Sequence, residues 1–231
     1  MEELAPPVFS PKSIRVFISH SHHQKHHAAN VKYVLQNFFG LEVFVAHDDI
    51  EPTKLWEDQI IEELQATDVI LAILTEEFKA SKFTDQEIGY GLALKKYIIP
   101  VKVALDPYGF LGKFQAMSFK IIREDWPSWI SHCEKIIALL EKQEQFKGKT
   151  IDLMIKALRG SNSYEVSNRI SRLLWGKKLT SSQISEIFNA FLYNDQVSGG
   201  FDVPRFMDHL IQESADLVGA GLIEKYKGFS V

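Results

Sequence analysis

The sequence predicts a doubly wound α/β domain with a parallel sheet, followed by a small α-helical domain. Three observations predict it. Apolar β-rich runs alternate with amphipathic helical stretches through the first 140 residues. One of those runs, over 68–75, is almost continuous in Val, Ile, Leu and Ala, as a central strand buried on both faces requires. Beyond Leu140 the two-residue period disappears and only helical periodicity remains.

Taken in order, residues 14–19 form a short β-rich run that gives way to a polar, histidine-rich loop. A helix follows over 30–39, with Val31, Val34, Leu35 and Phe38 at helical spacing and Gly40 as its stop. A second strand spans 42–46, and an acidic loop over 47–53 leads into an amphipathic helix from Trp56 to Leu64. After the strand over 68–75 come a helix over 84–94 and a fourth strand over 97–103. A helix over 130–140 closes the unit. The stretch around Trp126, Pro127 and Trp129 starts that helix, with proline near its first turn, and Cys133 lies within it as a buried, inert thiol. The charged segment 141–149 either extends the helix or links the domains. Helices are then predicted over 151–158, 164–174, 181–192 and 204–217, punctuated by Gly160, Gly176 and Gly199-Gly200, with Thr180 or Ser181 as a cap. The domains are therefore drawn at 1–146 and 147–231.

Composition excludes several classes of function. A single cysteine leaves no disulfide framework or cysteine-rich zinc site and fits a reducing compartment. The apolar runs are too short to span a bilayer, and the opening MEELAPP lacks an apolar signal core. A net charge of −4 gives no basic face for nucleic acid. The expectation is a cytoplasmic protein with neither a nucleic-acid nor a membrane partner. There is no G-x-G-x-x-G, P-loop or G-x-S-x-G sequence, which removes the usual dehydrogenase, NTPase and serine-hydrolase readings.

In a doubly wound sheet, ligands gather at the carboxyl ends of the strands. Three loops leave those ends here, over 19–27, 47–55 and 76–83. The first carries His22, His23, His26 and His27; the i,i+4 pairs could hold a metal on a helix, or the run is simply a polar loop and first turn. No cysteine or matched third ligand accompanies them, and no metal is assigned. After the third loop, Phe83 and Glu87 are four apart and share a helical face. The tetrad Thr84-Asp85-Gln86-Glu87 also fits a capping box, in which the glutamate would only satisfy the backbone of a cap.

The segments IRVFISHS (14–21), VFVAHDDIEP (43–52) leading into Trp56, ATDVILAILT (66–75), SKFTDQE (81–87) and YIIPV (97–101) together resemble a TIR domain. Their order and spacing hold over 13–103, and the bacterial TIR proteins of anti-phage systems such as Thoeris are similar in character. The resemblance implies a flavodoxin-like fold and one of two roles: an enzyme cleaving NAD⁺ at its nicotinamide–ribose bond, or a non-catalytic scaffold assembling with other TIR units or a partner. For the enzyme it implies Glu87 as the catalytic carboxylate. It further implies Ser19, His20, Ser21 and His22 as pocket lining, Asp48 as a substrate-binding residue in a loop that moves or docks (with Asp49 and Glu51, otherwise simply a solvated acidic loop), and Trp56 as pocket lining or core. Phe83 stands where the family pattern has tryptophan. NAD⁺ would be substrate, with no further cofactor, and the product ADP-ribose or a cyclic messenger for a separate effector.

The chemistry suits these residues. Nicotinamide leaves as a neutral molecule from a cationic ring, so no general acid is required. The ribose becomes oxocarbenium-like, and one fixed carboxylate stabilises it. The dipole at the start of its helix is expected to keep Glu87 ionised.

Overall fold

A computed structural model describes residues 12–45, 56–120, 126–214 and 216–229. The chain divides into two compact units, one formed by Ser13–Gln36 and Leu41–Lys147, the other by Gly148–Val231 with Asn37–Gly40.

The first unit is a five-stranded parallel sheet: β1 (Arg15–Ser19), β2 (Glu42–Val45), β3 (Val69–Leu74), β4 (Tyr97–Lys102) and β5 (Met117–Ser118), in the order β2-β1-β3-β4-β5. The chain runs outward from β1 to β2 and then returns to β1's other side as β3. The order therefore reverses at β1, and in doubly wound sheets such a reversal marks where ligands bind, outside the carboxyl ends of the strands. In register, Val16 sits between Val43 and Val69, and Ser19 lies beside Ala72. All six residues of β3 are buried, as the unbroken apolar run predicts. The two-residue strand β5 has no sequence signal, because two residues carry no period.

Side chains on a strand alternate between faces, so Phe17 and Ser19 point to one side of the sheet. That side carries a core of Phe17, Ile70, Leu74 and Phe78 packed with Ile60 and Leu64 of α2 (Trp56–Ala66) and Ile88 of α4 (Lys82–Ala93). The residues pointing the other way, among them Val16, Ile18, Leu71 and Ile73, are buried as well. Helices α1 (Lys25–Asn37) and α5 (Trp126–Glu141) meet through the rings of His27 and Trp129. Cys133 is fully buried on α5, and burial pushes its thiol well above the ordinary range.

Several boundaries differ from the sequence reading. Helix α1 starts at Lys25 rather than Asn30: His22–Gln24 form a 3₁₀ turn, and His26 and His27 lie in the first turn of the helix itself. The segment read as the third loop contains a short helix, α3 (Glu76–Ala80), capped by Thr75, whose hydroxyl accepts from the Phe78 amide at 3.2 Å.

The second unit contains helices only, among its described residues: α6 (Lys149–Arg159), α7 (Tyr164–Leu174), α8 (Ser181–Tyr193), α9 (Asp195–Ser198), α10 (Val203–Glu213) and α11 (Ala220–Phe229). The helix expected over 204–217 is thus shorter, ending at Glu213, and α11 follows it. Strongly one-sided apolar patterns bury Leu153, Ile170, Phe188 and Phe206. The carboxylate of Glu186 pairs with Arg159 at 2.5 Å, and Asn194 donates to the carbonyls of Arg159 and Ser161, tying α6 to the end of α8. Thr180 is the cap of α8: its hydroxyl accepts from the Gln183 amide, and the Gln183 side chain accepts from the Thr180 amide. Removing that hydroxyl in Thr180→Ala is expected to cost about 1 kcal/mol, read as a lower urea midpoint with an unchanged slope.

Candidate active site

Helix α4 carries the site, and its register explains how. Thr84, Glu87, Ile88 and Gly91 recur at i, i+3, i+4 and i+7 and form the buried face. An apolar residue is expected at each of these positions, yet two are polar. Thr84 is satisfied locally, donating to the carbonyls of Phe78 at 2.6 Å and Ser81 at 3.1 Å. Gly91 lets the helix lie close to the sheet, since a Cβ there would overlap Ile70 Cδ1. This close approach brings Glu87 down to the end of β1.

There Ser19 Oγ donates to Glu87 Oε2 at 2.5 Å. Ser19 is fully buried, and Glu87 is only 3% exposed. Glu87 Oε1 is buried too and has no hydrogen-bond partner among the described residues. A buried polar atom left in that state calls for an explanation, and a ligand is one. Burial raises the Glu87 pKa to about 7, against the Ser19 hydrogen bond, which lowers it.

Two sequence expectations are corrected by this geometry. The helix begins at Lys82 with Ser81 as its cap, so Thr84 is an interior residue and the tetrad 84–87 forms no capping box. Glu87 is the sixth residue of the helix, beyond the first turn over which the dipole acts. Desolvation therefore decides its charge, and the carboxylate is not held ionised as the sequence suggested.

Glu87 opens onto a cavity of about 310 Å³ between α2 and α4, at the lower end of the range for small-molecule sites. Phe83, Gln86, Glu87 and Tyr90 line it from α4, while Glu57, Ile60, Ile61 and Leu64 line it from α2. The phenol of Tyr90 accepts from Gln65 Nε2 at 2.8 Å. The cavity thus joins an apolar floor, one 38%-exposed aromatic ring at Phe83 and a dehydrated carboxyl.

The structure brings Phe83 and Glu87 together in the cavity and joins Ser19 to Glu87. Ser19 reaches the cavity through Glu87 rather than lining it. His20 and Ser21 are buried just past β1 and outside the described lining, and His22 is exposed on a single 3₁₀ turn. Trp56 is the first residue of α2, with its side chain outside the described residues, and Asp48 lies outside them altogether, as do Asp49 and Glu51. Among the described residues no three of His, Cys, Asp and Glu are grouped to hold a metal ion. No helix among them is long and apolar enough to cross a membrane.

Sequence reasoning missed Glu57, Gln86 and Tyr90. For the last two a signal exists, because 83, 86, 87 and 90 repeat at i, i+3, i+4 and i+7 and mark one helix face.

Residues 16–146 match the model of a family described as the TIR domain. Among solved structures, the chain is similar to the TIR domain of the Toll-related receptor TRR-2 from Hydra magnipapillata, with 18% identity and a TM-score of 0.43 over 53% of this chain and 97% of that one. A 2-desoxiribosyltransferase from Leishmania mexicana is similar at 15% identity and a TM-score of 0.36, over 52% and 98% of the two chains. The TIR domains of the activated Roq1 resistosome, which recognises the pathogen effector XopQ, are similar at 15% identity and a TM-score of 0.38, over 70% and 98%. No curated protein matches the chain.

Proposed function

The chain belongs to the TIR domain family, and we propose that it is an enzyme cleaving NAD⁺ at the nicotinamide–ribose bond, with Glu87 as the catalytic carboxylate. The observation that carries this reading is the buried Glu87 oxygen, without a hydrogen-bond partner among the described residues, in a carboxyl that borders a cavity shared with Phe83. A scaffold has no use for a carboxylate at a core position of α4, and the helix cap that would have explained it belongs to Ser81.

In the reaction, the Phe83 ring stacks on the cationic nicotinamide and Glu87 faces the ribose. The C–N bond breaks with its electron pair going to the pyridine nitrogen, which neutralises the leaving nicotinamide. The cationic ribose is stabilised by the ionised Glu87 until a nucleophile adds. Water gives ADP-ribose and releases a proton. An adenine nitrogen or a ribose hydroxyl of the same molecule gives a cyclic product, the messenger for a separate effector in bacterial anti-phage signalling. Only the ionised carboxylate does this work, so turnover rises with pH through about 7, the pKa of Glu87.

The test is NAD⁺ incubated with the full chain at high protein concentration, which favours TIR self-assembly, followed by chromatography and mass analysis of every nucleotide. Release of nicotinamide with ADP-ribose, or with a product one water lighter, supports the enzyme and separates hydrolysis from cyclisation. Intact NAD⁺ with a self-associating protein favours the scaffold. Phe83→Ala is expected to raise KM for NAD⁺ by about 5–30-fold, the loss of roughly 1–2 kcal/mol of cation–π stacking, with a smaller change in kcat.

A further inference from the structure

We propose that Ser19 is a positioning residue: its hydroxyl holds one oxygen of Glu87 so that the other, Oε1, is presented to the ribose, and it does not itself touch substrate. The proposal rests on the reading of Glu87 as the catalytic carboxylate.

A serine hydroxyl has one hydrogen to donate, and that of Ser19 is directed to Glu87 Oε2 at 2.5 Å. The rest of its surroundings leave no room for a ligand. Ser19 is fully buried at the last position of β1, next to Ala72 in register and on the same face as Phe17. Glutamate has three side-chain torsions, and the hydrogen bond to β1 fixes the outermost of them. A rigid strand thereby sets the orientation of a carboxylate borne on a helix, while Oε1 keeps its accepting capacity for substrate.

The same bond supports the charged form. Around Glu87, β3 offers only apolar side chains, α2 contributes Glu57 across the cavity, and α3 carries Glu76, Glu77 and Lys79. Asp85 and Tyr90 lie on α4 itself, and His20 follows Ser19. Burial and the Ser19 hydroxyl are the two influences on its ionisation, and they oppose each other. Taking away the hydroxyl leaves burial unopposed, so the midpoint of Glu87 rises.

The experiment labels glutamate carboxyl carbons in the full chain and follows them by NMR across pH, with Glu87→Gln identifying the signal. Ser19→Ala is expected to move the Glu87 midpoint upward by about one unit. The acid limb of NAD⁺ cleavage moves with it, so kcat falls at neutral pH and recovers above it at little changed KM. Ser19→Thr keeps a donor and restores the midpoint. Ser19→Cys, a weaker donor, gives an intermediate value and serves if the alanine variant does not fold. An unmoved midpoint, or a raised KM at unchanged kcat, overturns the proposal and makes Ser19 a substrate contact. If the midpoint moves while the wild-type protein leaves NAD⁺ intact, the hold of Ser19 on Glu87 stands and the NAD⁺ reading falls.

Discussion

Glu87→Gln is expected to lower NAD⁺ cleavage by about 10²–10³-fold, the loss that follows removal of one preorganised charge or donor from a dry site. Glutamine keeps the size of the side chain, and its amide oxygen still accepts from Ser19, so the cavity and the helix register survive. Only the charge is lost, and charge is what the cationic ribose needs. The two proteins also differ in pH dependence. Wild-type turnover climbs through about pH 7 as Glu87 ionises, whereas the residual activity of the glutamine variant has no such limb. Initial rates of nicotinamide release between pH 5.5 and 8.5 (roughly one and a half pH units either side of the midpoint, over which the carboxyl goes from almost wholly neutral to almost wholly ionised) check both statements. Equal rates in the two proteins at every pH would remove Glu87 from catalysis.

The α/β architecture was legible because it depends on periods. The apolar run over 68–75 became β3 with every residue buried, and the helical faces of α2 and α5 appear where spacing predicts them. Boundaries were less legible wherever a local pattern had two outcomes. The tetrad 84–87 satisfies the rule for a capping box, but the choice of cap was made by tertiary contacts: Thr84 turns inward to the Phe78 carbonyl, and the helix starts two residues earlier at Lys82. The histidine run reads as a polar loop and first helical turn, but the apolar spacing placed the helix start at Asn30, five residues after Lys25, where it begins.

The candidate site divides in the same way. Phe83 and Glu87 are four residues apart, so helix geometry alone places them together. Ser19 and Glu87 are separated by 68 residues, and their hydrogen bond depends on the strand order, the close packing of α4 at Gly91 and the length of a glutamate side chain. None of these has a one-dimensional signature. The cavity wall supplied by Glu57 and Ile61 is of the same kind, because α2 reads simply as an amphipathic helix. The raised pKa of Glu87 follows from burial depth and is likewise a property of the assembled fold.

That raised pKa predicts a cost in stability, and Glu87→Gln is expected to relieve it. The folded-state pKa is about 7, against an ordinary value of 4.5. Below 4.5 both folded and unfolded chains hold the proton, and Glu87 is neutral in each. Between the two values the folded chain keeps the proton that the unfolded chain has released, so folding binds a proton and stability falls as pH rises. Above about 7 the folded carboxylate is ionised and the full cost is reached, on the order of 3 kcal/mol for a separation of roughly 2.5 units. Glutamine stays neutral throughout. The variant should therefore match wild type near pH 4 and gain on it steadily to about pH 7, and then hold its advantage. Urea unfolding of both proteins at intervals across that range isolates the difference from every other titrating group. A gap that stays constant with pH would mean that Glu87 is solvated in the folded protein, and the site would lose the dehydrated carboxylate on which its chemistry depends.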